Sequence, residues 1–183
     1  MKASQSPPVT PAVMALAAAV LAALAGCAAM AGGTGGASGV AQLQPTQGHT
    51  ASGDVGFAEQ GGQLAVTATV SGLKPNQEHG FHVHEKGDCS APDAMSAGGH
   101  FNPDGKPHGA PGAARHAGDM PSLKADAQGR AQASFRIDGR LVGDAAAAFA
   151  GKAVIVHAMP DDYATQPTGN SGGRIACGVI RLR

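Results

Sequence analysis

The most regular stretch of the chain is 63–72, QLAVTATVSG, in which Leu64, Val66, Ala68 and Val70 alternate with Gln63, Ala65, Thr67 and Thr69. A period of two puts the first set on one face of a half-buried strand and the second on the other. Shorter alternating or continuously apolar runs, bounded by Gly, Pro, Asn and Asp, predict further strands over 40–44, 53–59, 80–85, 123–125, 131–137, 153–159 and 173–182. Gln60-Gly61-Gly62 and Asp126-Ala127-Gln128-Gly129 read as hairpin turns. No stretch predicts a long helix, because the alanine run 145–148 is short and bracketed by Gly143 and Gly151. Eight short strands with long connections and no internal repeat predict an all-β fold, an eight-stranded antiparallel Greek-key barrel or sandwich with long loops.

Over 80–85 the alternation also carries chemistry. His82 and His84 flank Val83, so both imidazoles project from one face of the strand while Val83 projects from the other. Two side chains placed this way can chelate one ion. Beyond them the pattern dissolves into Gly, Pro, Ala and Asp. His100, His108 and His116 then follow at equal intervals, with Asp119 three residues later. A further histidine, His157, ends the apolar run AVIVH. Imidazole suits copper and zinc alike; a mixed histidine and aspartate set without cysteine suits zinc, and an all-imidazole set tending to square-planar suits Cu(II). Six histidines exceed one tetrahedral site. If Asp119 joins His108 and His116, the ligands divide most economically into two sites with one histidine shared, since an imidazole has two nitrogens. His49 and His79 lie in turn-like contexts and read as surface or satisfied core residues.

The N-terminal pattern is different. In the first 26 residues Lys2 is the only charge, and 12–25 is an apolar segment too short to span a bilayer comfortably, as in a signal peptide. It ends Leu24-Ala25-Gly26-Cys27, which resembles the lipobox of bacterial lipoproteins and would make Cys27 an acylated N-terminus. Residues 28–39, AAMAGGTGGASG, read as a flexible tether with a root-mean-square span of about 20 Å. The 183 residues thus divide into a signal peptide (1–26), a lipidated cysteine and tether (27–39), and one domain (40–183). The whole chain carries 13 basic and 13 acidic residues, and loss of Lys2 with the signal peptide leaves a charge near minus one, which gives no support to nucleic-acid binding. Of three cysteines, assigning Cys27 to lipid leaves Cys89 and Cys177 for one disulfide, permitted by export, or as two thiols that never meet.

The blocks GFHVHEKGDC, SAGGHFNPDGKPHG, RHAGD, VIVHA and GGRIACGVI, in this order and spacing, resemble the signature blocks of copper/zinc superoxide dismutases from about Val40 to Arg183. The resemblance implies copper held by His82, His84, His100 and His157, zinc held by His100, His108, His116 and Asp119, and His100 as the bridge. It also implies a disulfide between Cys89 and Cys177, and Arg174 as the active-site arginine that guides and orients superoxide. Asp161, or Asp162 if the match slips by one residue, would link a copper histidine to a zinc histidine, His82 and His108. The implied reaction is disproportionation of superoxide to O2 and H2O2 by a Cu(II)/Cu(I) cycle, with zinc ordering the loop. Eukaryotic members often carry a longer charged loop after the position of His157. Here Ala164-Thr165-Gln166-Pro167 stands instead, so Lys86 or Lys106 is a substitute candidate for steering. Other readings are an envelope copper-binding or storage protein and a non-catalytic, zinc-stabilised β-domain. The lipobox implies the periplasmic side of a bacterial envelope, with Ala28 favouring the outer membrane. A homodimer stays open, because members of the family differ in how they pair.

Overall fold

The computed structural model describes Met1 and residues 36–183. The apolar segment 12–25, Cys27 and most of the tether lie outside the described residues.

Nine strands form among the described residues: β1 (Ser38–Pro45), β2 (Ser52–Gln60), β3 (Gln63–Ser71), β4 (Glu78–His79), β5 (Phe81–His84), β6 (Leu123–Lys124), β7 (Ala131–Asp138), β8 (Ala153–His157) and β9 (Arg174–Leu182). The eight expected strands are all present, each bound within two residues of its expected position. The ninth, β4, is an addition. Seven strands make one antiparallel sheet in the order β5-β8-β9-β1-β2-β3-β7, and β4 pairs with β6 alone. After the meander β1-β2-β3 the chain crosses to the far edge for β5 and returns to lie beside β3 as β7, a Greek-key path. The alanine run forms a turn over 145–147, and Ala148 makes an isolated bridge to Arg140.

Curling of this sheet buries one face of each strand. Leu64, Val66, Ala68 and Val70 of β3 all point inward, as the alternation requires. Each fully buried large aliphatic side chain contributes about 1.5–3 kcal/mol. Phe81 meets Phe135 edge to face at 6.4 Å between centroids, and Phe101 meets Phe149 at 5.1 Å. Strand β8 is buried along its whole length. Val154 and Val156 enter the main core, while Ile155 packs outward on Ala94, Ala97 and Cys177 under the loop that follows β5.

Two loops, 85–122 and 158–173, lie over this end of the sheet. The first supplies the missing neighbour of edge strand β5. Val83 N–H donates to Gly118 O (2.9 Å), Phe101 N–H to Val83 O (2.8 Å) and Gly118 N–H to Phe101 O (2.8 Å). An edge that would otherwise present unpaired backbone groups is thereby covered. Gly118 permits the approach, since a Cβ there would strike Val83 O. The loop is also tied covalently, by a Cys89–Cys177 disulfide with its Cα atoms 5.8 Å apart. The separation of 88 residues gives about 4–5 kcal/mol in the chain-entropy account.

Candidate metal centre

His82 and His84 project from one face of β5, as expected, and both are buried. β5 pairs with β8, placing His82 opposite Ile155. A bulge between Val156 and His157 then turns the end of β8, so that His157 faces the same space. The covering loop brings His100 against His82, with stacked rings and centroids 4.0 Å apart. His108 and His116 approach His100 from the other side, at 5.3 and 5.5 Å.

The side chains fall into two groups with one member in common. His82, His84, His100 and His157 form the first, and His100, His108, His116 and Asp119 the second; within each, one ligand atom per residue lies within 4.8 Å of all the others. All seven residues are buried.

Hydrogen bonding decides which atoms face the centre. His84 Nδ1–H donates to Gly98 O (2.9 Å) and His157 Nδ1–H to Gly172 O (3.1 Å). A carbonyl oxygen only accepts, so in each ring the proton sits on Nδ1 and Nε2 keeps its lone pair. His82 Nε2–H donates to Asp161 Oδ2 (2.7 Å) and His108 Nε2–H to Asp161 Oδ1 (2.9 Å), which frees Nδ1 in both. Within the two groups five ring nitrogens are buried without a hydrogen-bond partner, His82 Nδ1, His84 Nε2, His100 Nε2, His108 Nδ1 and His157 Nε2; outside them the same holds among the described residues for His79 Nε2. Burying so many unsatisfied acceptors together is unfavourable in a bare protein and natural for metal ligands.

Spacing supports the same conclusion for the second group. His100 Nδ1 lies 2.9 Å from Asp119 Oδ1 and 3.4 Å from His116 Nδ1. His108 Nδ1 lies 3.0 Å from Asp119 Oδ2, and His116 Nδ1 lies 3.4 Å from Asp119 Oδ1. Ligands about 2.0 Å from a tetrahedral zinc ion stand about 3.3 Å apart. The donor set therefore fits zinc, and the all-imidazole set beside it fits copper.

The electrostatics follow from burial and from two carboxylates. Burial lowers His82 to about 4 and His157 to about 3, and holds His84 well below its ordinary value. These rings are neutral and ready to ligate. For His108 burial acts downward, but the Asp119 and Asp161 carboxylates outweigh it and raise the ring to about 9. Asp161 and Asp119 are themselves held well below the usual carboxylate range, because burial, which would raise them, is outweighed by hydrogen bonds from the histidines.

Arg174 opens β9 opposite His157. Its Nη1 donates to Ala94 O and its Nη2 to Gly98 O, both at 2.6 Å. Gly98 O thus receives both the His84 ring and the arginine.

Asp161, not Asp162, lies between His82 and His108. Asp162 instead accepts from Ala164 N–H, Thr165 N–H and the Thr165 hydroxyl at the surface. His49 is exposed, whereas His79 is buried in β4 with its Nδ1–H donating to His157 O (2.8 Å). His79 continues the inward alternation of Phe81 and Val83, a signal the sequence did carry. Gln77 was not singled out; its Nε2 donates to Ala158 O (2.6 Å), so β4 and the residue before it grip the backbone of His157 and Ala158. Lys86 and Lys106 are exposed, and Lys106 is paired with Asp104 (2.8 Å).

An all-β barrel that buries two histidine-rich groups sharing one imidazole is a binuclear metalloprotein. Comparison with known proteins makes this specific. The family described as Copper/zinc superoxide dismutase (SODC) matches residues 51–180. Superoxide dismutase [Cu-Zn] 2 of Brassica juncea is 46% identical over 153 residues, 79% of this chain and 97% of that protein. Superoxide dismutase [Cu-Zn] 2 of Aquifex aeolicus (strain VF5) is 41% identical over 146 residues, 77% of this chain and 85% of the other. Among solved structures, a double mutant of a SOD-like protein from Bacillus subtilis superposes with a TM-score of 0.67 at 37% identity, covering 78% of this chain and 96% of that one. The chain belongs to the copper/zinc superoxide dismutase family. It is an enzyme whose metals are copper and zinc and whose substrate is superoxide.

Proposed function

We propose that His82, His84, His100 and His157 hold copper and that His100, His108, His116 and Asp119 hold zinc, in an exported, lipid-anchored bacterial enzyme that removes superoxide reaching the cell envelope from outside. The observation that carries the ligand assignment is the set of five buried, unpartnered imidazole nitrogens converging from β5, β8 and the covering loop. When bound, copper supplies the one-electron couple that disproportionates superoxide to O2 and H2O2, and zinc supplies a fixed charge with no redox change.

The chain's own groups do the rest. Gly98, Gly172 and Asp161 fix the tautomer and direction of four imidazoles, so that little reorganisation is needed on ligation. His100 presents one nitrogen to each group, and its buried Nε2 is the atom placed to hold a proton beside a bound anion. Arg174, held by two backbone carbonyls, offers a fixed positive charge with planar donors to a small anion, which raises the encounter rate and orients the substrate. Lys86 remains available for longer-range steering, while Asp104 offsets Lys106.

The envelope reading rests on the sequence alone. The segment 12–25 ending Leu24-Ala25-Gly26-Cys27 supports export and acylation of Cys27, residues 28–39 support a tether, and Ala28 favours the outer membrane on the periplasmic side. Mass spectrometry of the mature N-terminus tests it, and an unmodified cleavage product would refute lipidation. The catalytic reading is tested by a superoxide-disproportionation assay on protein of measured metal content. Arg174→Ala is expected to lose about tenfold or more in rate with both metals retained, and to flatten the salt dependence. His157→Ala is expected to lose copper and activity together. Absence of activity in wild-type protein containing both metals would overturn the proposal.

A further inference from the structure

His108 is buried, yet it lies in a stretch between Asn102 and Gly118 with little regular backbone pairing. Its own backbone is satisfied by a single side chain from the other loop. His108 N–H donates to Gln166 Oε1 (2.8 Å), and Gln166 Nε2 donates to His108 O (2.9 Å). No other hydrogen bond to the His108 main chain occurs among the described residues. The amide thus imitates one rung of a β-ladder, meeting donor with acceptor and acceptor with donor. A further contact from Nε2 to Ala164 O (3.3 Å) sets which way the amide faces.

The ring of the same residue is fixed separately, by Asp161 on Nε2. Gly169 allows this close packing: a Cβ there would strike Asp161 Oδ1 and come within 2.5 Å of His108 Nε2. Backbone and far ring nitrogen are therefore each pinned from the 158–173 loop, and the remaining polar atom of His108, the buried Nδ1, faces Asp119 Oδ2 at 3.0 Å inside the second group. A residue held at its N–H, its C=O and its far ring nitrogen has one direction in which to present that lone pair.

The geometry points to Gln166 as a positioning residue of the zinc site, a side-chain clamp on the His108 backbone that sets the affinity for zinc and leaves the four-histidine copper group untouched. This rests on the assignment of His108 to zinc proposed above. Among the described residues no hydrogen bond joins Gln166 to His82, His84, His100 or His157, and its bonds to the second group go to His108 alone, so the expected effect is on zinc.

The test uses the full-length protein loaded with both metals, with Gln166→Ala, Gln166→Met and Gln166→Glu. Methionine keeps length and packing without either hydrogen bond; glutamate keeps the acceptor and sets a second acceptor against His108 O. Zinc release to a chromophoric chelator is followed while copper is quantified in the same samples, and Co(II) in the zinc position reports the coordination through its visible absorption. All three variants are expected to release zinc about 10–100 times faster, with copper retention unchanged and altered Co(II) bands. Release at the wild-type rate from Gln166→Ala and Gln166→Met overturns the proposal. So does parallel loss of both metals, which would mark a general loosening of the fold. His108→Ala in the same assay keeps the two claims apart, since zinc release unchanged in that variant overturns the zinc assignment itself, and the clamp with it.

Discussion

Asp161 performs two tasks with two oxygens. Oδ2 accepts from His82 and Oδ1 from His108, one member of each metal group, and Tyr163 N–H also donates to Oδ1 (2.7 Å). Asp161→Asn keeps the shape but places an amide N–H against one of the two ring N–H groups. That ring must turn or change tautomer, and its free nitrogen no longer faces the ion. The expected result is a loss of about 10–100-fold in affinity at one of the two sites, read by chelator competition for copper and zinc separately. At this scale the sequence was legible where chemistry repeats. His82, His84, His100, His108, His116, Asp119 and His157 stand out because few other reasons would space so many ligating side chains so regularly. Gln166 and Gln77 did not stand out, because an amide that binds backbone needs no particular neighbour in sequence. Its partner is defined only when two loops meet.

Among elements, β5 depends most on what covers it. Its outer edge is paired by the loop through Gly118 and Phe101, and the histidines bridged across that edge, His82 with Asp119 and His84 with His100, are metal ligands in our proposal. Gly118→Ala is expected to push the loop away from Val83 O. Amide exchange at Val83 and Phe101 should quicken by tenfold or more, while amides of β2 and β3 keep their wild-type protection. Equal quickening throughout the sheet would contradict the view that this loop acts as a separable strand. The long strands were readable because alternation or continuous burial extends over five or more residues. β4 was not, since Glu78 and His79 are both polar and lack the apolar residue that marked the equally short β6, the strand they pair with some forty residues later. Nor could local pattern alone show that the stretch after His84 would serve as a neighbour for β5, because its pairing is long-range and runs through backbone.

For the molecule as a whole, burial of the ligands governs the response to pH in the absence of metal. His82 falls from 6.5 to about 4 and His157 to about 3, so between those values and 6.5 the unfolded chain binds more protons than the folded one. Stability present above pH 6.5 is therefore lost as pH falls. His108 is raised to about 9, so between 6.5 and 9 the folded chain binds more protons, and that stability is lost as pH rises. Metal-free protein should be most stable near pH 6.5, with midpoints in denaturant falling on both sides. Zinc should remove the alkaline arm, because the His108 Nδ1 lone pair is then committed to the ion. A steady rise in stability from pH 6.5 to 9 without metal would contradict the assignment of His108 as the ring that holds a proton.

The distance along the chain between the parts of this centre has a further consequence. His82 and Asp161, which touch, are 79 residues apart in sequence, and β5 and β8 are neighbours in the sheet only after the chain has crossed it and come back. A polypeptide in which β8 has not yet docked on β5 lacks His157 beside His82 and His84, and so has no complete four-histidine group. Completion of that group is thus a late event in folding. The four-histidine group is therefore completed wherever β8 docks against β5, and the metal available at that place is the one that can fill it.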